Sequence, residues 1–133
     1  AGYAVGNDMS SRDIEGENLL YLPQAKVYHR SCAVGPWVRV RATESEAREW
    51  EITMQIERGG EMVFEGSVSV NQIKRSFGEL SAAMFQSQVF PFGCALLTGT
   101  GIVPDDDFTL EEGDAVRIEI SGIGCLENSV VRV

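Results

Sequence analysis

Trp50-Glu-Ile-Thr-Met-Gln-Ile-Glu-Arg58, Gly59-Gly60 and Glu61-Met-Val-Phe-Glu-Gly-Ser-Val-Ser-Val70 form the stretch that decides the fold. Apolar and polar residues alternate in the first run, and the second run returns after the glycine pair. A period of two marks a strand with one covered face. Two adjacent glycines supply the positive φ of a tight hairpin turn. Trp50, Ile52, Met54 and Ile56 therefore share one face. The hairpin is scaffold and carries no chemistry of its own.

Outward from it, Trp37-Val-Arg-Val-Arg41 alternates and reads as a half-buried strand. Ala115-Val-Arg-Ile-Glu-Ile120 and the run from Cys125 to Val133 read as closing strands. Glu112-Gly113-Asp114 and Gly122-Ile-Gly124 are their turns. Cys94-Ala-Leu-Leu97, wholly apolar and bounded by glycines, is expected to be a buried strand leading into Thr98-Gly-Thr-Gly101. One main helix is expected near 77–88. Ser76-Phe-Gly-Glu79 has the spacing of a capping box, Leu80, Met84 and Phe85 form an apolar stripe, and Pro91 ends it. The first third, to about Pro36, reads as loop with short strands, and long ordered loops are usually functional. The fold class is mostly β (α+β) with one helix.

Composition narrows the function. The 133 residues are one domain at most, and long enough to bury a sizeable core. A make-up of 44% hydrophobic and 23% charged residues is that of a globular chain and excludes wholesale disorder. The net charge of −9, with no basic stripe, argues against nucleic-acid or anionic-membrane partners. No apolar run approaches the roughly 20 residues of a membrane span. The start lacks the basic and apolar segments of a signal peptide, and it lacks an initiator methionine. The favoured expectation is a piece of something longer. Cys32, Cys94 and Cys125 are scattered, with no C-x-x-C pair. They read as reduced, mostly buried thiols of a cytoplasmic protein. Cys32 follows His29 by three residues, too weak a signal for a Cys–His nucleophile.

The chemistry-bearing stretch is Gly6-Asn-Asp-Met-Ser-Ser-Arg-Asp13, directly after the apolar Tyr3-Ala4-Val5. Asp8 suits either an Asx turn or a hard-cation ligand, since Mg²⁺ and Ca²⁺ take carboxylate oxygens. One aspartate cannot make such a site. Glu15-Gly-Glu17 and Asp105-Asp-Asp107 offer further carboxylates, although the latter, between Pro104 and Phe108, looks like an exposed turn. Arg12 and Lys26 are the nearest cations in sequence, as surface ion pairs or as site groups. The apolar flanks of Lys26 favour a desolvated amine. Thr98-Gly99-Thr100-Gly101 offers backbone N–H groups to an anion but lacks the lysine and spacing of a P-loop.

Taken in order, these segments resemble the fumarylacetoacetate hydrolase superfamily. They are Gly2-Tyr3 with Gly6–Asp13, Leu22-Pro-Gln-Ala-Lys26, Gly35-Pro36, the Gly59-Gly60 hairpin, the Ser76–Glu79 helix start, Leu96-Leu-Thr-Gly-Thr-Gly101 and the Glu112-Gly-Asp114 turn. The resemblance implies a mixed-sheet β roll, a homodimer, and a metal-dependent enzyme that acts on 2-oxo acids by C–C hydrolysis or dehydration. Its ion is Mg²⁺, or Mn²⁺ or Ca²⁺ in its place. By the same resemblance Asp8 is a metal ligand and Lys26 the catalytic lysine beside the metal. Thr100 meets the substrate carboxylate, and Arg12 and Glu15 bind substrate, Glu15 standing where fumarylacetoacetate-cleaving members have glutamine.

The family's Glu-x-Glu ligand pair lies upstream of this motif, and its His-Glu dyad is unmatched. Residues 1–133 are thus expected to be the C-terminal portion of a catalytic domain, inactive alone. The Ile14-Glu-Gly-Glu-Asn18 and Leu20–Lys26 segments look closest to 2-keto-3-deoxy sugar-acid dehydratases. The competing class is a non-catalytic β domain for oligomerisation or binding.

Overall fold

The computed structural model describes all 133 residues. In chain order the elements are β1 (Gly2–Asp8), α1 (Arg12–Glu17), α2 (Leu22–Lys26), β2 (Cys32–Val40), α3 (Glu44–Arg48), β3 (Glu51–Arg58), β4 (Glu61–Ser69), α4 (Phe77–Phe85), β5 (Ala115–Ile120) and β6 (Gly124–Ser129). Single 3₁₀ turns at Leu19–Tyr21 and Val70–Gln72 complete the list. The strands form two sheets, β1-β2 and β4-β3-β5-β6, and every pairing is antiparallel. The architecture is mostly β with few and short helices, as expected for the fold class.

The β3–β4 hairpin forms as the sequence requires. Gly59 and Gly60 both take positive φ, which a side chain would resist, and Arg58 pairs with Glu61 across the turn. β3 is central because its apolar face meets strands on both sides. Ile56 faces Phe64 on β4 and Val116 on β5, and Met54 faces Ile118. Ile56, Val116, Ile118 and Val5 of β1 are the buried core cluster. Through Val5 the two-stranded sheet packs on the four-stranded one. The Trp37 indole N–H donates to the Ile123 carbonyl at 2.7 Å, tying β2 to the β5–β6 turn. Tyr3 sits edge-on to Trp50, with ring centroids 5.5 Å apart.

Helix α4 starts where expected. Ser76 and Glu79 exchange the reciprocal bonds of a capping box, but the helix stops at Phe85 rather than near 88. A second box, Thr43 with Glu46, starts α3.

Four expectations are corrected. Residues 94–97 join no sheet and are exposed; an apolar run without alternation cannot distinguish a strand from an extended segment docked by its side chains. Leu97 is one of these, its Cδ2 lying 2.5 Å from where a Cβ on Gly6 would stand. Secondly, Cys32 and Cys94 are exposed and only Cys125 is half-buried, although all three are free thiols. Thirdly, the polar opening third contains two helices, α1 and α2, too short for a periodic signal. Fourthly, the core is small: 11 of 133 residues are buried, and Leu19, Leu20, Val27, Trp37 and Val40 all face outward. Length permits a core, but several apolar side chains here have no layer opposite them.

The turn before β5 is the most heavily bonded part of the scaffold. Arg58 forks onto Asp114 with two bonds of 2.8 Å and reaches the Glu111 carboxylate at 2.6 Å and the Thr109 carbonyl at 2.8 Å. Asp114 is 1% exposed. The guanidinium, helped by the Glu111 N–H, holds its carboxyl below the ordinary value of 3.8 against the opposing effect of burial. A carboxylate lowered in this way contributes stability that is complete above about pH 4 and is lost as pH falls through the lowered value. Arg58→Met is therefore expected to lower the urea midpoint at neutral pH, leaving the Asp114 carboxylate without its partner. The difference from wild type should shrink below about pH 4. A gap that stays constant from neutral pH into acid would rule this pair out as its cause.

Candidate active site

Strand geometry decides which way Asp8 points. Val5 and Asn7 are buried, and the Asn7 amide donates to the Asn128 side-chain oxygen at 3.3 Å. Side chains alternate along a strand, so Gly6 and Asp8 share the opposite face. Leu97 covers Gly6 on that face. Asp8 ends β1 as the cross-strand partner of Cys32, the first residue of β2.

Beyond Asp8 the chain is stitched to two later segments. The Met9 N–H donates to the Ser31 carbonyl at 2.9 Å, and the Ser11 N–H to the Ala25 carbonyl at 2.8 Å. Helix α1 then starts at Arg12. Asn18 caps the following 3₁₀ turn through its side chain, and Pro23, which needs no N–H in a first turn, helps α2 to begin. Lys26 is the last residue of α2. Its ammonium donates to Asp8 Oδ2 at 2.8 Å and to Ser10 Oγ at 2.5 Å. Asp8 thus bonds a lysine eighteen residues away rather than closing a local Asx turn.

Lys26 is not enclosed by apolar walls as its flanks led one to expect. It is half-buried between two oxygen acceptors, while Val27 turns out to solvent. Tyr28 joins the same cluster. Burial raises its hydroxyl above the ordinary tyrosine value, the Asp8 charge raises it further, and the Lys26 charge pulls the other way. Ser10 and Tyr28 were missed in the sequence. The spacing Asp8-x-Ser10 along an extended chain and Lys26-x-Tyr28 after a helix end were the available signals.

The remaining candidates lie elsewhere. Arg12 is held by the 104–106 turn: it donates to the Pro104 carbonyl at 3.2 Å and pairs with Asp106. With Asp13, Glu15 and Gly16 these groups line a groove of about 380 Å³. Thr100 faces a second hollow of about 370 Å³, shared with Gln72, Lys74, Arg75 and Leu80. Its hydroxyl accepts from the Ile102 N–H at 3.1 Å, closing a local turn. The structure therefore brings Asp8 and Lys26 together, sets Arg12 beside Glu15, and leaves Thr100 apart.

Asp8 suits a divalent cation as one hard oxygen ligand, because Lys26 engages only Oδ2. No set of three or more His, Cys, Asp or Glu side chains converges anywhere in the chain. Asp8 fits such an ion as part of a ligand set that these residues do not complete.

The pattern of the Fumarylacetoacetate (FAA) hydrolase C-terminal family matches residues 1–131. The chain is 48% identical over 132 residues to a "Probable 2-keto-3-deoxyxylonate dehydratase" of Haloferax volcanii, covering 99% of this chain and 46% of that protein. It is 42% identical over 125 residues to a 2-dehydro-3-deoxy-D-arabinonate dehydratase of Saccharolobus solfataricus, covering 94% and 42%. Among solved structures it superposes with a TM-score of 0.89 and 43% identity on a 2-keto-3-deoxy-D-arabinonate dehydratase complexed with magnesium and 2,5-dioxopentanoate, covering 96% of this chain and 46% of that one. The chain spans less than half the length of these relatives.

Because Arg12 is a strut to the 104–106 turn, Arg12→Ala should loosen that turn while leaving the hairpin core intact. The expected result is amide hydrogen exchange about three- to tenfold faster at Phe108, whose N–H closes the turn onto the Asp105 carbonyl, with β3 and β5 unchanged. Unaltered exchange at Phe108 would show that the strut holds nothing.

Proposed function

This chain belongs to the fumarylacetoacetate hydrolase family, and from that premise we propose that it is the C-terminal part of the catalytic domain of a dehydratase acting on 2-keto-3-deoxy sugar acids. The observation that carries the proposal is the likeness to a solved dehydratase holding magnesium and 2,5-dioxopentanoate. The Asp8–Lys26 contact at the end of β1 gives that likeness a chemical centre.

In a 2-keto-3-deoxy acid the hydroxyl on the fourth carbon stands β to the 2-oxo group. Dehydration removes a proton from the third carbon and hydroxide from the fourth, which together leave as water. A divalent ion, Mg²⁺ by likeness to the magnesium complex, would supply Lewis acidity toward the 2-oxo carboxylate when bound. Asp8 would provide one ligand, the others coming from polypeptide beyond residues 1–133. Lys26 exchanges a proton at the reacting carbons: as the amine it accepts one, and as the ammonium it donates one. Its place beside Asp8 keeps that proton near the charge that develops.

The substrate contacts belong to the same proposal. Thr100 and its glycine-flanked loop are the proposed carboxylate contact: Thr100 lines a hollow apart from Lys26, and Leu97 joins its segment to the Asp8 face of β1. Glu15, opening on the groove beside Arg12, suits a hydroxylated substrate. Arg12 binds substrate only after leaving Asp106; as placed, it braces the groove. A homodimer would cover part of the apolar surface on β2, and the three free cysteines suit the reducing cytoplasm.

The test is a substrate comparison with the whole enzyme and Mg²⁺. Turnover of a keto-deoxy pentonate is expected, and Lys26→Met should lower kcat by about 10²-fold or more. The 133-residue chain alone should turn over nothing. Cleavage of an acylpyruvate without dehydration of the pentonate would overturn the dehydratase assignment.

A further inference from the structure

The geometry points to Ser10 as the positioning residue for Lys26, a role that rests on Lys26 being the proton-exchanging group proposed above. Ser10 Oγ accepts from Lys26 Nζ at 2.5 Å, closer than the Asp8 carboxylate at 2.8 Å. The hydroxyl is held where it is by the backbone on either side. Met9 bonds Ser31 and Ser11 bonds Ala25, and both acceptor residues are buried. Ala25 immediately precedes Lys26 and is 0% exposed. The bond that fixes the Ser10 loop therefore also fixes the backbone from which Lys26 projects.

Asp8 is poorly suited to do this alone. A carboxylate that serves as a cation ligand shares its charge with the ion and gives up part of its hold on a nearby ammonium. A serine hydroxyl carries no charge to share and keeps a lone pair for Lys26. Lysine is a flexible stem that gives up much rotamer freedom when its end is held, so one half-buried ion pair does not confine it. Two acceptors engage two of the three ammonium N–H bonds and leave the third for substrate. Asp8, Ser10 and Lys26 thus form a three-point arrangement, in which Ser10 acts through the lysine and touches no reacting atom.

Two readouts test this, and only one depends on the enzyme's reaction. In the ¹⁵N-lysine-labelled chain, a Lys26 ammonium held by two acceptors should give a resolved, slowly exchanging ¹⁵Nζ signal in the cold. Ser10→Ala should lose that signal and Ser10→Thr, which keeps the hydroxyl, should retain it, with the backbone amide spectrum unchanged in both. In the whole enzyme Ser10→Ala should lower kcat about 10- to 100-fold with KM within about threefold, since a misplacement of about 1 Å costs up to about 10²-fold. Ser10→Thr should restore most of the rate. Should Ser10→Ala disturb folding, Ser10→Cys keeps the size with a much weaker acceptor and carries the same comparison. A Lys26 signal that survives in Ser10→Ala, or equal losses of kcat in the alanine and threonine variants, would overturn the role. Failure of the whole enzyme on keto-deoxy acids, with the ¹⁵N pattern as expected, would count against the dehydratase assignment and leave Ser10 in place.

Discussion

The two-residue period of β1 ties the fold to the site. Val5 and Asn7 point into the four-stranded sheet, one into the apolar cluster and the other onto Asn128. Asp8 must then point away from it, toward Lys26. A one-residue slip of β1 against β2 would bury the carboxylate and expose the valine. Burying a Val side chain is worth about 1.5–3 kcal/mol, whereas a lysine–aspartate pair still open to water is worth about 1 kcal/mol or less. Packing therefore sets the register, and the polar cluster follows from it.

What was legible in the sequence follows from how local each signal is. The β3–β4 hairpin needs only alternation and a glycine pair. The α4 start needs only Ser76 and Glu79 three residues apart, and the structure forms both. Residues 94–97 carried no periodic information, and a contact that docks them, Leu97 on Gly6, spans ninety-one positions. The Arg12–Asp106 pair spans ninety-four, so a site arginine read from its own neighbourhood was assigned without the partner that holds it. Asp8 and Lys26 were found through resemblance, while Ser10 and Tyr28 emerged only once α2 had turned the lysine back onto β1.

The thin core and the incomplete ligand set have a common physical form. Only four apolar side chains make the buried cluster, while Leu19, Leu20 and Val27, which flank the Lys26 helix, lie largely open. Exposed apolar surface of this kind in a folded chain marks a place where another surface packs. Under the half-domain proposal, whatever covers the α2 region would also approach Asp8, the point at which carboxylates are lacking. Burial and ligation would then be completed together.

The most direct measurement is Mn²⁺ binding by the 133-residue chain, followed by electron paramagnetic resonance with Mn²⁺ as a spectroscopic substitute for Mg²⁺. A half-site with Asp8 as its single acidic ligand should bind more weakly than about 1 mM, the weak end of carboxylate sites. Micromolar binding that disappears in Asp8→Asn would contradict it, because a complete site would then exist within these residues.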